Sequence, residues 1–238
     1  MNSIRKWFEN LAAATRAQFV PVRQQPPVHC GNINALLLHL CDFDYELHGW
    51  VLRWLAYPLR NPGAKMDRGL VINGSEGTGK GLFFTHVMAA LYGDDARYIK
   101  ERNLHSTFIP WAVDARFVVV DGFMSRRDAP VFKFFVASPT VTIRQQFQTN
   151  REVPNQMNLV FLSGSDYFLP MELSNRRFVV IEAPPKREPR FYRAVADEIN
   201  NGGVEVFRHY LMHELDMEGF DHRTKPRSDR ASLQAEAA

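Results

Sequence analysis

The chain has 238 residues, 45% hydrophobic and 23% charged, with a formal net charge of +3. That length can bury a sizeable core as one large domain or one with appendages, and the charge is too small to demand an anionic partner. No apolar run approaches the roughly 20 residues of a membrane-spanning helix, so no membrane association is expected.

The N-terminal MNSIRKWFENLAAATRAQF lacks the long apolar stretch and small-residue cleavage site of an export signal, which makes the cytoplasm the expected location. Cys30 and Cys41 match neither a zinc spacing nor a Cys-x-x-Cys pair and read as reduced structural thiols. Arginine outnumbers lysine 22 to 7. The planar guanidinium suits phosphate, although genomic composition produces the same bias.

Residues 1–68 read as helical. Ile4, Trp7, Phe8 and Leu11 recur at helical spacing, and INALLLHL and YELHGWVLRWLAY give two further apolar helical patterns, the second broken at Pro58 and the NPG of residues 61–63. His29, His39 and His48 are scattered among apolar residues and read as ordinary core or surface histidines. From 69 to 183 the pattern changes to short β-branched runs alternating with helical stretches. GLVIN, RFVVVD, VTIRQQF, MNLVFLS and RFVVIE are the expected strands of an α/β fold, a largely parallel sheet carrying a hairpin. After the PPKREP turn, residues 184–238 return to helix. Phe191, Val195 and Ile199 fall four apart, NNGG interrupts, VEVFRHYLMHEL resumes, and a polar tail from His222 is expected to be loose.

The stretch NGSEGTGKG carries the clearest chemistry. Gly74 and Gly79 flank Ser75, Glu76, Gly77 and Thr78, Lys80 follows, GLVIN precedes and LFFTHVMAALYG continues as a helix stopped by Gly93. In such a strand, loop and helix, backbone N–H groups and the helix N-terminus face a phosphate, and the lysine supplies a point charge. ATP is the expected ligand. The usual Ser or Thr after the lysine is replaced by Gly81, which offers magnesium no hydroxyl. Asp121 ends the apolar run of RFVVVDG, where a carboxylate would hold Mg2+ through water. A strand-ending aspartate is equally a common turn device.

From about residue 30 to 225 the chain resembles the helicase domain of phage and plasmid primase–helicases, the superfamily 3 branch of the AAA+ ATPases. The likeness rests on the order of HGWVLRWLAYPLRNPGAK, the glycine loop, VVVD, SPTVTIRQQFQTNREVPN, NLVFLSG, NRRFVVIEA and NGGVEVFRHYLMHELDMEGFD. It implies a three-layer P-loop NTPase core of AAA+ type over residues 69–183, with helical N-terminal and C-terminal segments. It also implies Arg176 and Arg177 as arginine fingers reaching a neighbouring subunit's nucleotide, a homo-oligomeric ring, and a channel hairpin on which Arg144 and Arg151 meet DNA phosphates and Phe147 stacks on a base. An ordinary edge hairpin with a half-buried Phe147, and a surface ion-paired arginine couple, are the plainer readings of the same residues.

Three positions depart from the family's hydrolytic pattern. Gly81 lacks the hydroxyl, Gly122 stands where a water-activating Glu follows Asp121, and Gly164 falls where a polar sensor of the γ-phosphate is expected, leaving only Ser163 or Ser165 to substitute. Thr78, Glu101, Asp114 and Asp128 are groups of the right type elsewhere in the chain. Phosphate binding is therefore expected while hydrolysis is left open. The resulting expectations are a DNA-replication ATPase of phage or mobile-element origin acting in the host bacterial cytoplasm on single- or double-stranded DNA, a non-hydrolysing nucleotide-binding interaction module, or a small-molecule phosphotransferase. No primase pattern is visible, so a separate primase or other replication protein is an expected partner.

Overall fold

The computed structural model describes residues 29–123, 125–144, 146–147, 149–164 and 177–226. The helical pattern at Ile4–Leu11, Ser165, Arg176 and the tail beyond 226 lie outside the described residues.

Helix α1 (Gly31–Leu40) and helix α2 (Tyr45–Arg60) come first. The Asp44 carboxylate accepts from Leu47 N at 2.9 Å and starts α2. Pro58 does not break α2, contrary to the sequence expectation: it lies in the last turn, and the helix ends at Arg60, just before the expected break at residues 61–63.

Five parallel strands follow in the order β2–β3–β6–β1–β7. They are β1 (Gly69–Asn73), β2 (Ala96–Lys100), β3 (Phe117–Asp121), β6 (Asn158–Ser163) and β7 (Phe178–Glu182). A separate antiparallel hairpin pairs β4 (Thr140–Ile143) with β5 (Arg151–Pro154). The expected strand VTIRQQF is thus shorter than its pattern, because Phe147 takes a left-handed φ of 62° and the chain turns. The sequence reading also passed over β2 as a strand and α4 (Asp128–Ala137) as a helix.

The alternation of side chains along the strands divides the core in two. Leu70, Ile72, Val119, Val160 and Leu162 pack with α1, α2, the helix after the glycine loop, and the C-terminal helices. Val71, Val118, Val120, Leu159 and Phe161 pack with Phe132 and Phe135 of α4 and with Val141 and Ile143 of the hairpin. Helices and hairpin therefore sandwich a parallel sheet in three layers, an α/β architecture.

The N- and C-terminal helical segments form one layer. The C-terminal helices begin with α5 (Pro189–Glu198); a glycine kink at Gly202 leads to α6 (Val204–His209), which runs on as a wider turn to Glu214. Arg60 donates to the carbonyls of Leu211 and Leu215, both at 2.7 Å. Buried Glu198 accepts from Ile33 N at 2.8 Å and Asn32 N at 3.1 Å, so a carboxylate of α5 caps the N-terminus of α1. Phe83 and Phe207, both fully buried, meet edge to face with ring centroids 5.9 Å apart. Truncating either to alanine would cost about 3–5 kcal/mol.

Candidate functional site

Parallel pairing brings the carboxyl ends of β2, β3, β6 and β1 to one edge of the sheet. Lys100 stands opposite Asp121, and Asn73 opposite Ser163. Outside that edge lies a cleft of about 600 Å³, lined by the glycine loop, Thr85, Tyr98, Lys100, Asp121, Ser163 and Tyr192. Open parallel sheets place their ligand crevice beyond the carboxyl ends of the strands.

The glycine loop joins β1 to a helix wound widely over Leu82–Val87 and regularly as α3 over Met88–Tyr92. Gly79 has φ 95°, and a β-carbon there would stand 2.6 Å from Leu36 Cδ1, so the loop's close approach to α1 requires glycine. Lys80 Nζ donates to the carbonyls of Gly74 at 2.5 Å and Ser75 at 2.8 Å and to Thr78 Oγ1 at 3.3 Å. Burial lowers the pKa of this ammonium, against the opposing pull of Asp121 and Glu76. Thr78 is fully buried, and its hydroxyl donates to Ser75 O at 3.1 Å, so it is spent inside the loop. A different hydroxyl faces the cleft. Thr85 Oγ1 lies 3.7 Å from the point where a β-carbon on Gly81 would stand. Thr85, one helical turn onward, thus brings a hydroxyl near Gly81.

Asp121 sits under two donors, Tyr98 Oη and Lys100 Nζ, the latter at 2.5 Å. Burial raises its pKa, but those hydrogen bonds and the charges of Lys100 and Lys80 outweigh it, and the carboxyl titrates below the ordinary value of 3.8. Glu101 follows Lys100 at the end of β2. At Gly122, φ is 154°, and a β-carbon would lie 1.8 Å from Glu101 Oε2. On the other side Ser163 is 1% exposed, and its hydroxyl has no hydrogen-bond partner among the described residues. Asn73 is similar, giving its amide to Glu182 Oε2 at 2.8 Å and leaving Oδ1 unpaired. A buried hydroxyl without a partner is uncommon, and that of Ser163, which lines the cleft, can donate to an oxygen of a ligand there. Gly164 is covered by Phe123, whose Cε1 would lie 2.8 Å from its β-carbon.

The structure thus gathers Gly74–Gly81, Lys80, Asp121 and Ser163 around one cleft. Asp121 and Thr85, both lining the cleft, are the residues that could offer oxygen to a magnesium ion there. Arg177 is not brought there. It precedes β7, and its carbonyl accepts from Gly69 N at 2.9 Å at the start of β1, so it stands at the edge of the sheet opposite the glycine loop. Arg144, Phe147 and Arg151 do come together, on the hairpin. Arg144 and Arg151 are exposed at the inner ends of β4 and β5, and Phe147 between them is 97% exposed. That excludes the half-buried reading of Phe147. Tyr98, Thr85 and Lys100 were missed by the sequence reading. The signal available for Lys100 was its place at the end of a short alternating run, ARYIK.

None of the helices among the described residues is long and apolar enough to cross a membrane. Residues 72–177, which contain the glycine loop, Asp121, the hairpin and Ser163, match DUF5906, described as a family of unknown function. The chain is 27% identical over 168 residues to a DNA primase-polymerase of Nitratiruptor phage NrS-1, an alignment covering 68% of this chain and 23% of that protein. The A-form apo structure of the NrS-1 C-terminal region superposes with a TM-score of 0.72 at 23% identity, covering 91% of this chain and 53% of that one. A second apo structure of that region gives 0.70 at 23% identity, over 91% and 52% of the two chains. The chain therefore spans less than a quarter of the phage relative's length, and shares the fold of that relative's C-terminal region.

Proposed function

We propose that this chain is an ATP-binding module of a phage or mobile-element DNA-replication protein, working as a ring-forming ATPase of helicase type. The observation that carries the reading is the convergence of Lys80, Asp121 and the unpaired Ser163 hydroxyl on the cleft beside the glycine loop. The loop and the helix beginning at Leu82 cradle the phosphates, and Lys80 exchanges its loop carbonyls for phosphate oxygens. Magnesium, held by Asp121 and Thr85, would neutralise phosphate charge. Ser163 donates to the γ-phosphate or to the attacking water, and Tyr192 borders the cleft where a nucleoside extends. The exposed arginines and Phe147 of the hairpin are the surface for DNA, with cations for backbone phosphates and a ring for stacking. The strand order, with the loop strand β1 between β6 and β7, supports a P-loop NTPase core. The similarity to a phage primase-polymerase supports the replication setting, in which a separate priming or other replication protein is the expected partner.

A second reading, a nucleotide-binding interaction module that turns over slowly or not at all, is favoured by Gly122 and by the Lys100–Asp121 pair at the magnesium carboxylate. One experiment separates them. ATP affinity and phosphate release are measured with and without single-stranded DNA, for the wild type and for Lys80→Ala. DNA-stimulated release that Lys80→Ala abolishes supports the motor. Binding without turnover selects the second reading, and unchanged affinity in folded Lys80→Ala removes the loop as the nucleotide site.

A further inference from the structure

We propose that Glu101 is the general base of ATP hydrolysis, delivered from the end of β2 into the space that Gly122 leaves beside Asp121. The inference rests on the reading of the cleft as a nucleotide site.

Three observations carry it. Gly122 N donates to Leu162 O at 3.2 Å, so the backbone after Asp121 is fixed against β6, and a β-carbon built on it would meet Glu101 at Oε2, 1.8 Å away, and at Cδ, 2.5 Å away. The carboxylate of Glu101 thus fills the volume in which an acidic side chain at 122 would begin. Second, Glu101 is half-buried and makes no hydrogen bond or ion pair among the described residues, whereas its neighbours Lys100 and Asp121 are committed to each other. Its acceptor capacity is unspent.

Third, Asp114 and Asp128, the two other carboxylates the sequence offers for this role, are excluded by place or by partner. Asp114 lies before β3, lining a smaller cavity with Arg151 and Asn155 at the sheet edge away from the glycine loop. Asp128 is buried, one oxygen meeting His105 Nε2 at 2.6 Å and the other accepting from Ser125 N at 2.7 Å.

The step balances without another reactant. As the water oxygen forms its bond to the γ-phosphorus, the bond from that phosphorus to the β,γ-bridging oxygen breaks. Its electron pair leaves on ADP, and the water proton passes to Glu101 and then to solvent as phosphate departs. Glycine at 122 is then a requirement of this arrangement.

The test uses the full chain as wild type, Glu101→Gln, Glu101→Asp and Asp114→Asn. Three quantities are read: affinity for ATP and for a non-hydrolysable ATP analogue by calorimetry, phosphate release with and without single-stranded DNA, and the nucleotide recovered from the protein after incubation with ATP. The isosteric Glu101→Gln is expected to keep the wild-type affinities, lose about 100- to 10,000-fold in turnover and be recovered holding ATP where the wild type holds ADP. Glu101→Asp regains part of the rate, and Asp114→Asn behaves as wild type. Wild-type turnover in Glu101→Gln, an equal loss in Asp114→Asn, or unfolding of Glu101→Gln overturns the proposal. A wild type that binds ATP without hydrolysing it overturns the base while leaving the binding site standing; one that binds no nucleotide overturns both.

Discussion

Lys100 Nζ and Asp121 Oδ2 meet at 2.5 Å across the paired ends of β2 and β3, so the carboxylate proposed to hold magnesium already holds a cation. Removing that cation with Lys100→Met should lower half-saturating magnesium for ATP binding, by up to about five-fold if the pair contributes the ~1 kcal/mol of a good exposed ion pair. The same variant carries a pH signature. The folded-state pKa of Asp121 is depressed, so its contribution to stability is present above the ordinary value of 3.8 and is lost as pH falls through the folded value. The stability gap between wild type and Lys100→Met should therefore be open at neutral pH and close in acid. Denaturant titrations at several pH values check it, and a gap that widens in acid would contradict the pairing.

Gly122→Glu is the substitution that the sequence alone recommends for restoring a missing carboxylate. With φ at 154° and Glu101 occupying the side-chain volume, it is expected to destabilise the protein by about 1–3 kcal/mol. Turnover should fall rather than rise. Equilibrium unfolding and phosphate release, measured together, test both halves of that expectation.

Thr85→Val keeps the shape of a β-branched side chain and removes the hydroxyl that lies near Gly81. If that hydroxyl serves the metal, ATP affinity should weaken in the presence of magnesium and stay unchanged in its absence. Calorimetry in magnesium and in a chelator gives both values. An equal loss under both conditions would indicate damaged packing instead.

Burial pulls the Lys65 ammonium down to about 7, against Asp67 and with help from Arg177, while Nζ donates to the carbonyls of Phe135 and Met157, both at 2.9 Å. The unfolded chain holds this proton up to the ordinary value of 10.5. Between those two values the unfolded state binds more protons, so this group makes stability rise with pH. Lys65→Met should flatten that part of the profile relative to wild type. An identical slope in both proteins would mean that Lys65 does not titrate in the fold.

The strands of the core were legible because they are short apolar runs buried on both faces of a parallel sheet, and the glycine loop because its spacing is local. What escaped was set by tertiary pairing. ARYIK carries Arg97 and Lys100, as an edge strand does, and was passed over. With β2 went the means of placing Lys100 and Glu101, which reach the site only through pairing with β3. Thr85 escaped because its relation to Gly81 is a matter of helical winding. DAPVFKFFVA is apolar around much of its circumference, which hid α4 from a reading based on one apolar stripe, although Pro130 in its first turn is a helix-start signal.

Arg177 stands at the edge of the sheet opposite the glycine loop, and this separation decides how it can act on nucleotide. The length of β1 and β7 lies between them, and Arg177 is anchored there by its carbonyl on Gly69 N and by a long contact of 3.5 Å from its guanidinium to Asp67 O. An arginine so placed does not reach its own subunit's glycine loop, so under the proposed ring reading it would act on a nucleotide in another subunit, across a heterologous interface. Mixing tests this directly. Lys80→Ala leaves a subunit with a defective loop and an intact arginine, and Arg177→Ala leaves the converse, so each homogeneous protein is expected to turn over slowly. In a mixture some interfaces pair an intact loop with an intact arginine, and part of the wild-type rate should return, with a dependence on total protein concentration. Mixtures that only average the two rates, or a wild type that hydrolyses ATP as a monomer at every concentration, would remove the shared site.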